Sequence, residues 1–142
     1  MATSIVVGTD GSGSADHALD EAISIALRDG AALHIVAAFP DPAVVREQIT
    51  SSAKTDSVNL SEVADSVLTR AARQAEEKGV RAETHARESD PATAILEVAE
   101  AQEADLIVIG SRGLSGIQRF LLGSVSQKVS AHARCNVMIV RD

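Results

Sequence analysis

A chain of 142 residues, 45% apolar and 23% charged, holds enough material for one folded domain with a real core and too little for two. Its formal net charge of −7 works against long polyanions, and with Phe39 and Phe120 as its only aromatic residues it lacks the stacking faces that nucleic acid bases need. No apolar run approaches the ~18 residues that cross a bilayer, so neither a membrane nor a nucleic acid is expected as partner.

The first element is Ser4-Ile5-Val6-Val7-Gly8, short, β-branched and apolar on both faces, which predicts a buried parallel strand. Asp10-Gly11-Ser12-Gly13-Ser14 turns the chain into a helix carrying Ala15, Ala18, Leu19, Ala22, Ile23 and Ala26 at helical spacing, with Ser14 as its expected cap and Gly30 as its end. Leu33 to Phe39 reads as the second strand. Phe39 to Ser57 holds two prolines and a polar tract and reads as a mobile excursion. From Leu60 to Ala75 the apolar residues recur at i, i+3, i+4 and i+7, the plainest helix in the sequence, closed by Gly79. Val80 to His85 predicts a weaker strand, and Ser89-Asp90-Pro91 a helix start with proline in the first turn. Asp105 to Ile109 is a further buried strand, a helix starts near Ser124, and Asn136 to Val140 is the last strand.

This alternation of strands and helices predicts an α/β fold, a five-stranded parallel sheet in a three-layer α/β/α arrangement, as one domain over residues 1–142. In such sheets ligands sit beyond the C-terminal strand ends where the strand order reverses. Two glycine-bearing segments fall there: Gly8-Thr9-Asp10-Gly11-Ser12 after the first strand and Gly110-Ser111-Arg112-Gly113 after the fourth. Gly123-Ser124 adds a close-approach residue and a hydroxyl ahead of a helix. Glycines in these places either turn the chain tightly or let phosphate oxygens reach backbone N–H groups at a helix start, and the residues alone leave both readings open. The charge distribution favours a compact anion: Ile107 to Asp142 carries +4 and the rest of the chain −11. No glycine is followed by the lysine of a P-loop, Asp16 stands where a dinucleotide fingerprint needs its third glycine, and no nucleophile elbow occurs.

The spacing Gly110-x2-Gly113-x9-Gly123-Ser124 resembles the nucleotide-binding signature of the universal stress protein family, and the opening Ile5 to Ser12 and closing Cys135 to Val140 are similar to that family's ends. The resemblance covers the whole chain. It implies a Rossmann-like fold of the adenine-nucleotide hydrolase-like superfold, and an adenine nucleotide (ATP, or AMP or cyclic AMP) in the crevice at the crossover. Carried over by position, Gly8, Thr9 and Asp10 would lie near the adenine and ribose and Ala38 would meet the adenine. Gly110, Arg112 and Gly113 would line ribose and phosphates, and Gly123, Ser124, Val125 and Ser126 would hold the phosphate tail. The resemblance also implies a homodimer in which the last strand, Asn136 to Val140, pairs antiparallel with its mate. An apolar strand at the end of the chain gives that expectation a physical reason, since an open apolar edge is a liability unless paired.

The chemistry expected is binding, with at most slow ATP hydrolysis. Asp10 is the only carboxylate at the expected mouth, enough to help hold Mg²⁺ through ATP and thin for a catalyst. His17, His34, His85 and His132 show no metal-ligand spacing, so metal ligands are left unassigned. A phosphoacceptor receiver would need an acid at the end of the third strand, where Thr84-His85-Ala86-Arg87 supplies none. The single Cys135 excludes an intrachain disulfide, and the polar turn after Val7 with no basic stretch argues against a signal peptide, so a cytoplasmic location is expected.

Overall fold

The computed structural model of the protein describes residues 1–41, 59–111 and 123–141. In chain order these form β1 (Ser4–Gly8), α1 (Gly13–Asp29), β2 (Ala32–Phe39), α2 (Leu60–Glu77), β3 (Ala82–Glu88), α3 (Pro91–Ala101), β4 (Leu106–Gly110), α4 (Ser124–His132) and β5 (Asn136–Val140). All neighbouring strands run parallel in the order β3-β2-β1-β4-β5. The chain therefore builds outward from β1 to β3 and then crosses back to lay β4 against the other side of β1. That crossover is the place where the two halves of the sheet part company.

Strands apolar on both faces require two covering layers, and the sheet has them. Ile5, Val7, Leu33, Ile35 and Val108 pack under Leu19 and Ile23 of α1 and Leu68 of α2. Val6, Val36, Ile107 and Ile109 pack under Ile95 and Val98 of α3 and Val129 of α4. Asp105 fixes the N-terminal strand ends by accepting from the Thr3 and Ser4 backbone N–H groups. Those hydrogen bonds, from Thr3 first, hold its carboxyl below the usual range.

Three expectations change in detail. The cap of α1 is Ser12, not Ser14: Gly11 takes the left-handed conformation at φ +81°, so the helix begins at Gly13 and the Ser12 hydroxyl accepts from the Ala15 N–H at 3.2 Å. The apolar stripe of α2 is wider than its buried face, because Ala64, Leu68, Ala71 and Ala75 are buried while Val63 stays 51% exposed. The third strand is Ala82–Glu88 rather than Val80–His85. Val80 still belongs to the turn after α2, its N–H held by the Ala75 carbonyl, and pairing with β2 as far as Phe39 carries the strand on to Glu88. Glu88 does place an acid at that strand's end, but at the outer edge of the sheet and away from the crossover. Most of the expected excursion between Phe39 and Ser57 lies outside the described residues.

The two sheet edges differ in kind. β3 exposes Glu83, Thr84, Arg87 and Glu88, whereas β5 offers half-buried Val137, Met138, Ile139 and Val140. Among the described residues no strand pairs with the outer side of either, and no helix is long and apolar enough to cross a membrane.

Candidate functional site

At the C-terminal ends of β1 and β4 the sheet opens into a crevice of about 600 Å³, solvent at its mouth included. Its floor is apolar: Ala15, Val36, Ala38, Pro91, Ile95 and Ile109. Its rim is formed by Gly8, Thr9, Asp10, Gly110, Gly123, Val125 and Ser126. The sequence singled out eight of these thirteen residues. The five others, Ala15, Val36, Pro91, Ile95 and Ile109, are ordinary apolar residues that nothing in the sequence marks as facing a crevice. Ser124 is an exposed residue at the first position of α4 and does not line the crevice. Arg112 and Gly113 lie outside the described residues.

The β1 side is a compact turn. The Thr9 N–H donates to the Val36 carbonyl at 2.9 Å, extending the β1–β2 ladder one residue beyond Gly8. The Thr9 hydroxyl accepts from the Gly11 N–H at 3.2 Å, and an Asp10 carboxylate oxygen accepts from the Ser12 N–H at 2.9 Å. The Asp10 side chain is thereby oriented at the mouth while the residue stays exposed. Gly8 lies directly against the floor: a Cβ there would come within 2.5 Å of the Ile95 Cδ1.

On the β4 side, the Gly123 N–H donates to the Ser111 carbonyl at 2.8 Å, and the Ser126 hydroxyl donates to the Gly110 carbonyl at 2.7 Å. Ser126 is 2% exposed, so its hydroxyl proton is committed to fastening α4 onto β4. What Ser126 can offer an anion is its backbone N–H. Gly110 has a different constraint. A Cβ there would meet the Ser14 hydroxyl at 2.5 Å, its carbonyl oxygen at 2.8 Å and its carbonyl carbon at 3.0 Å, so the missing side chain is what lets the first turn of α1 lie against the end of β4.

Among the described residues three helices start at this crevice, and their N-termini are finished differently. Ser12 caps α1. Asp90 caps α3, accepting from the Thr93 N–H at 3.0 Å, with the Lys128 ammonium of α4 at 3.2 Å from the same oxygen. The N-cap of α4 is Gly123, which has no side chain to cap with, and it makes no side-chain cap bond. The N–H groups of Ser124, Val125 and Ser126 have no intrahelical acceptor, as in the first turn of any helix, and they carry the positive end of the helix dipole.

Asp90 also gives a test of this end of the molecule. Hydrogen bonds from the Thr93 hydroxyl and backbone N–H, with Lys128 beside them, hold its carboxyl at about 2 against an ordinary 3.8. Asp90→Ala is expected to lower stability by about 1 kcal/mol, the usual worth of a capping side chain. The contribution is present above 3.8, where the unfolded carboxyl is ionised, and is lost as the pH falls toward 2. Urea unfolding of parent and variant should therefore differ at neutral pH and converge across that window.

The sequence profile of the universal stress protein family matches residues 1–141. Over 148 aligned residues the chain is 36% identical to universal stress protein YxiE of Bacillus subtilis, covering 99% of this chain and all of that one. It is also 36% identical to a universal stress protein of Methanocaldococcus jannaschii, over 96% of this chain and 81% of the relative. Among solved structures, a universal stress protein in complex with cAMP superposes with a TM-score of 0.75 at 30% identity, covering 98% of this chain and 97% of the other.

Proposed function

This chain belongs to the universal stress protein family, and on that premise we propose that it is a stress-response or signalling protein that binds ATP in the crevice at the strand crossover and holds it rather than turning it over rapidly. The observation that carries the proposal is the uncapped start of α4. Of the three helices that open onto the crevice among the described residues, two have one first-turn N–H met by a capping side chain, and the third, with glycine at its cap, has none met that way. A phosphate chain there would accept from the N–H groups that follow Gly123, with no lysine needed. The apolar floor suits the face of a purine, with Ala38 at the end of β2 small enough to admit it. The adenine end would then lie toward Thr9 and Asp10 and the phosphate tail toward Val125 and Ser126. Arg112 and Gly113, by their place in the glycine signature, would complete the phosphate side. Asp10 is the one carboxylate on the rim among the described residues, and a single carboxylate with phosphate oxygens is a usual setting for Mg²⁺ arriving with ATP.

A second reading, an AMP- or cyclic-AMP-binding sensor, is favoured by the relative solved with cAMP. We also infer a homodimer through β5, supported by the contrast between its apolar edge and the charged edge of β3. A cytoplasmic location is supported by a lone cysteine, Cys135, that has no partner for an intrachain disulfide.

The deciding experiment is to denature freshly purified protein and identify any released nucleotide by chromatography and mass, then to titrate emptied protein with ATP, AMP and cyclic AMP. A chain without Trp or Tyr absorbs little in the near ultraviolet, so bound adenine stands out directly. One equivalent of ATP, released or taken up with preference over AMP, is the expected result. Preference for AMP or cyclic AMP would replace ATP by the sensor reading, and steady phosphate release above background would make the protein a slow ATPase. Failure to bind any of the three would overturn the proposal.

A further inference from the structure

On the same sheet face as the crevice floor, but toward the other end of the strands, β2 and β3 bring together three side chains that the crevice does not use. In the register of the two strands His34 lies opposite Glu83, and Glu83 and His85, two residues apart on one strand, point to the same side. The His34 Nδ1 is 3.0 Å from the His85 Nε2 and 3.5 Å from a Glu83 carboxylate oxygen. All three potential ligand atoms lie within 4.8 Å of one another. The rings are tilted by 43°, so their facing nitrogens converge rather than stack.

We propose that His34, Glu83 and His85 bind one divalent transition-metal ion of the zinc type, filling three corners of a tetrahedron and leaving the fourth to solvent. Metal–nitrogen and metal–oxygen bonds of about 2.0–2.1 Å at tetrahedral angles put ligand atoms about 3.3–3.4 Å apart. Two of the separations, 3.0 and 3.5 Å, lie within a few tenths of an ångström of that value, and the third, between Glu83 and His85, is within 4.8 Å. Two imidazoles with one carboxylate suit zinc, cobalt, nickel or copper and discriminate against Mg²⁺, which prefers oxygen ligands throughout. The site is partly built beforehand. His34 is 5% exposed and held between neighbouring strands, so its nitrogen loses little freedom on binding, while the exposed Glu83 carboxylate can swing toward His85. Where one ring now donates to the other, its proton shifts to its own second nitrogen when the metal takes the shared position, and no proton has to leave the pair. The ion would tie the edge strand β3 to β2. His34 precedes Ala38 by four residues, roughly 13 Å along the strand, so this site and the crevice would not share a ligand.

The test is calorimetric titration of the chelator-treated full-length chain with ZnCl₂, MgCl₂ serving as control, and with melting temperature as a second readout. One equivalent of Zn²⁺ should bind at micromolar concentrations and raise the melting temperature, with no response to Mg²⁺. His85→Gln should weaken the binding about tenfold or more, as loss of even a supporting group at a metal site does. A variant carrying His132→Ala and Cys135→Ser, which removes the other nitrogen and sulfur donors near each other in sequence, should bind as the parent does. Should His85→Gln fail to fold, the exposed Glu83→Gln decides in its place by a weaker but measurable loss. Absence of saturable Zn²⁺ binding up to millimolar concentration overturns the proposal. So does binding left intact by loss of His85 or Glu83, or abolished by the control substitutions.

Discussion

Gly123→Asp should leave the protein as stable as its parent, or a few tenths of a kcal/mol more stable, while lowering its affinity for ATP at least 100-fold, about 2.7 kcal/mol. The two effects have opposite signs because they act on the same donors. Gly123 has φ −65° and ψ 162°, angles open to any residue, so an aspartate there incurs no backbone strain. Its carboxylate would accept from the first-turn N–H groups of α4 that now lack a capping side chain and would complement the helix dipole. A nucleotide phosphate would then meet donors already taken and a fixed negative charge at close range. Charge-assisted hydrogen bonds are worth about 1.5–3 kcal/mol each, so losing one or two accounts for the expected magnitude without counting repulsion. Thermal unfolding and ATP titration of one preparation give both numbers. A variant that melts normally and binds ATP normally would remove α4 from the phosphate site.

Gly110→Ala should do the reverse, lowering stability by about 3 kcal/mol and the melting temperature by roughly 10 °C. The added methyl group meets backbone as well as side chain. The Ser14 hydroxyl can rotate away, but the carbonyl carbon and oxygen at 3.0 and 2.8 Å belong to the first turn of α1 and move only with the helix. The companion change Ser14→Ala should accordingly recover only part of the loss. Full recovery would place the clash on the hydroxyl alone. An unchanged melting temperature for Gly110→Ala would mean that α1 can slide on β4 at no cost, which a close-packed interior does not allow. The two glycines share one sequence signature, yet by this reading one admits a helix and the other admits a ligand.

The fold was legible where burial and periodicity agree. β1 and β4 are short apolar runs rich in β-branched residues, β2 is apolar but for His34, and a helix such as α1 repeats its buried positions at the spacing the core requires. β3 was read less well because it is an edge strand, and its length is set by backbone pairing with β2 rather than by its own side chains. Ser12 and Ser14 are chemically equal as caps, and only the left-handed turn at Gly11 decides between them. At the crevice, glycines and hydroxyls were visible as unusual residues in the right places. Ile95 and Ala15 were not, since an apolar residue carries no mark of facing a cavity instead of a neighbour. The steric demand at Gly110 and the meeting of His34 with His85, 51 residues away, depend on register and packing that no local spacing encodes.

The unlike edges of the sheet bear on how far assembly could proceed. A strand edge can template another only if its partner's edge accepts it, and the charged β3 edge is a poor acceptor for the apolar β5 edge. Head-to-tail addition, β5 of one copy onto β3 of the next, is the arrangement that would grow without limit into fibres. If two copies pair through β5 as proposed above, that apolar edge is consumed, and the sheet edge left exposed among the described strands is the charged β3, which gives a third copy no apolar strand to add to.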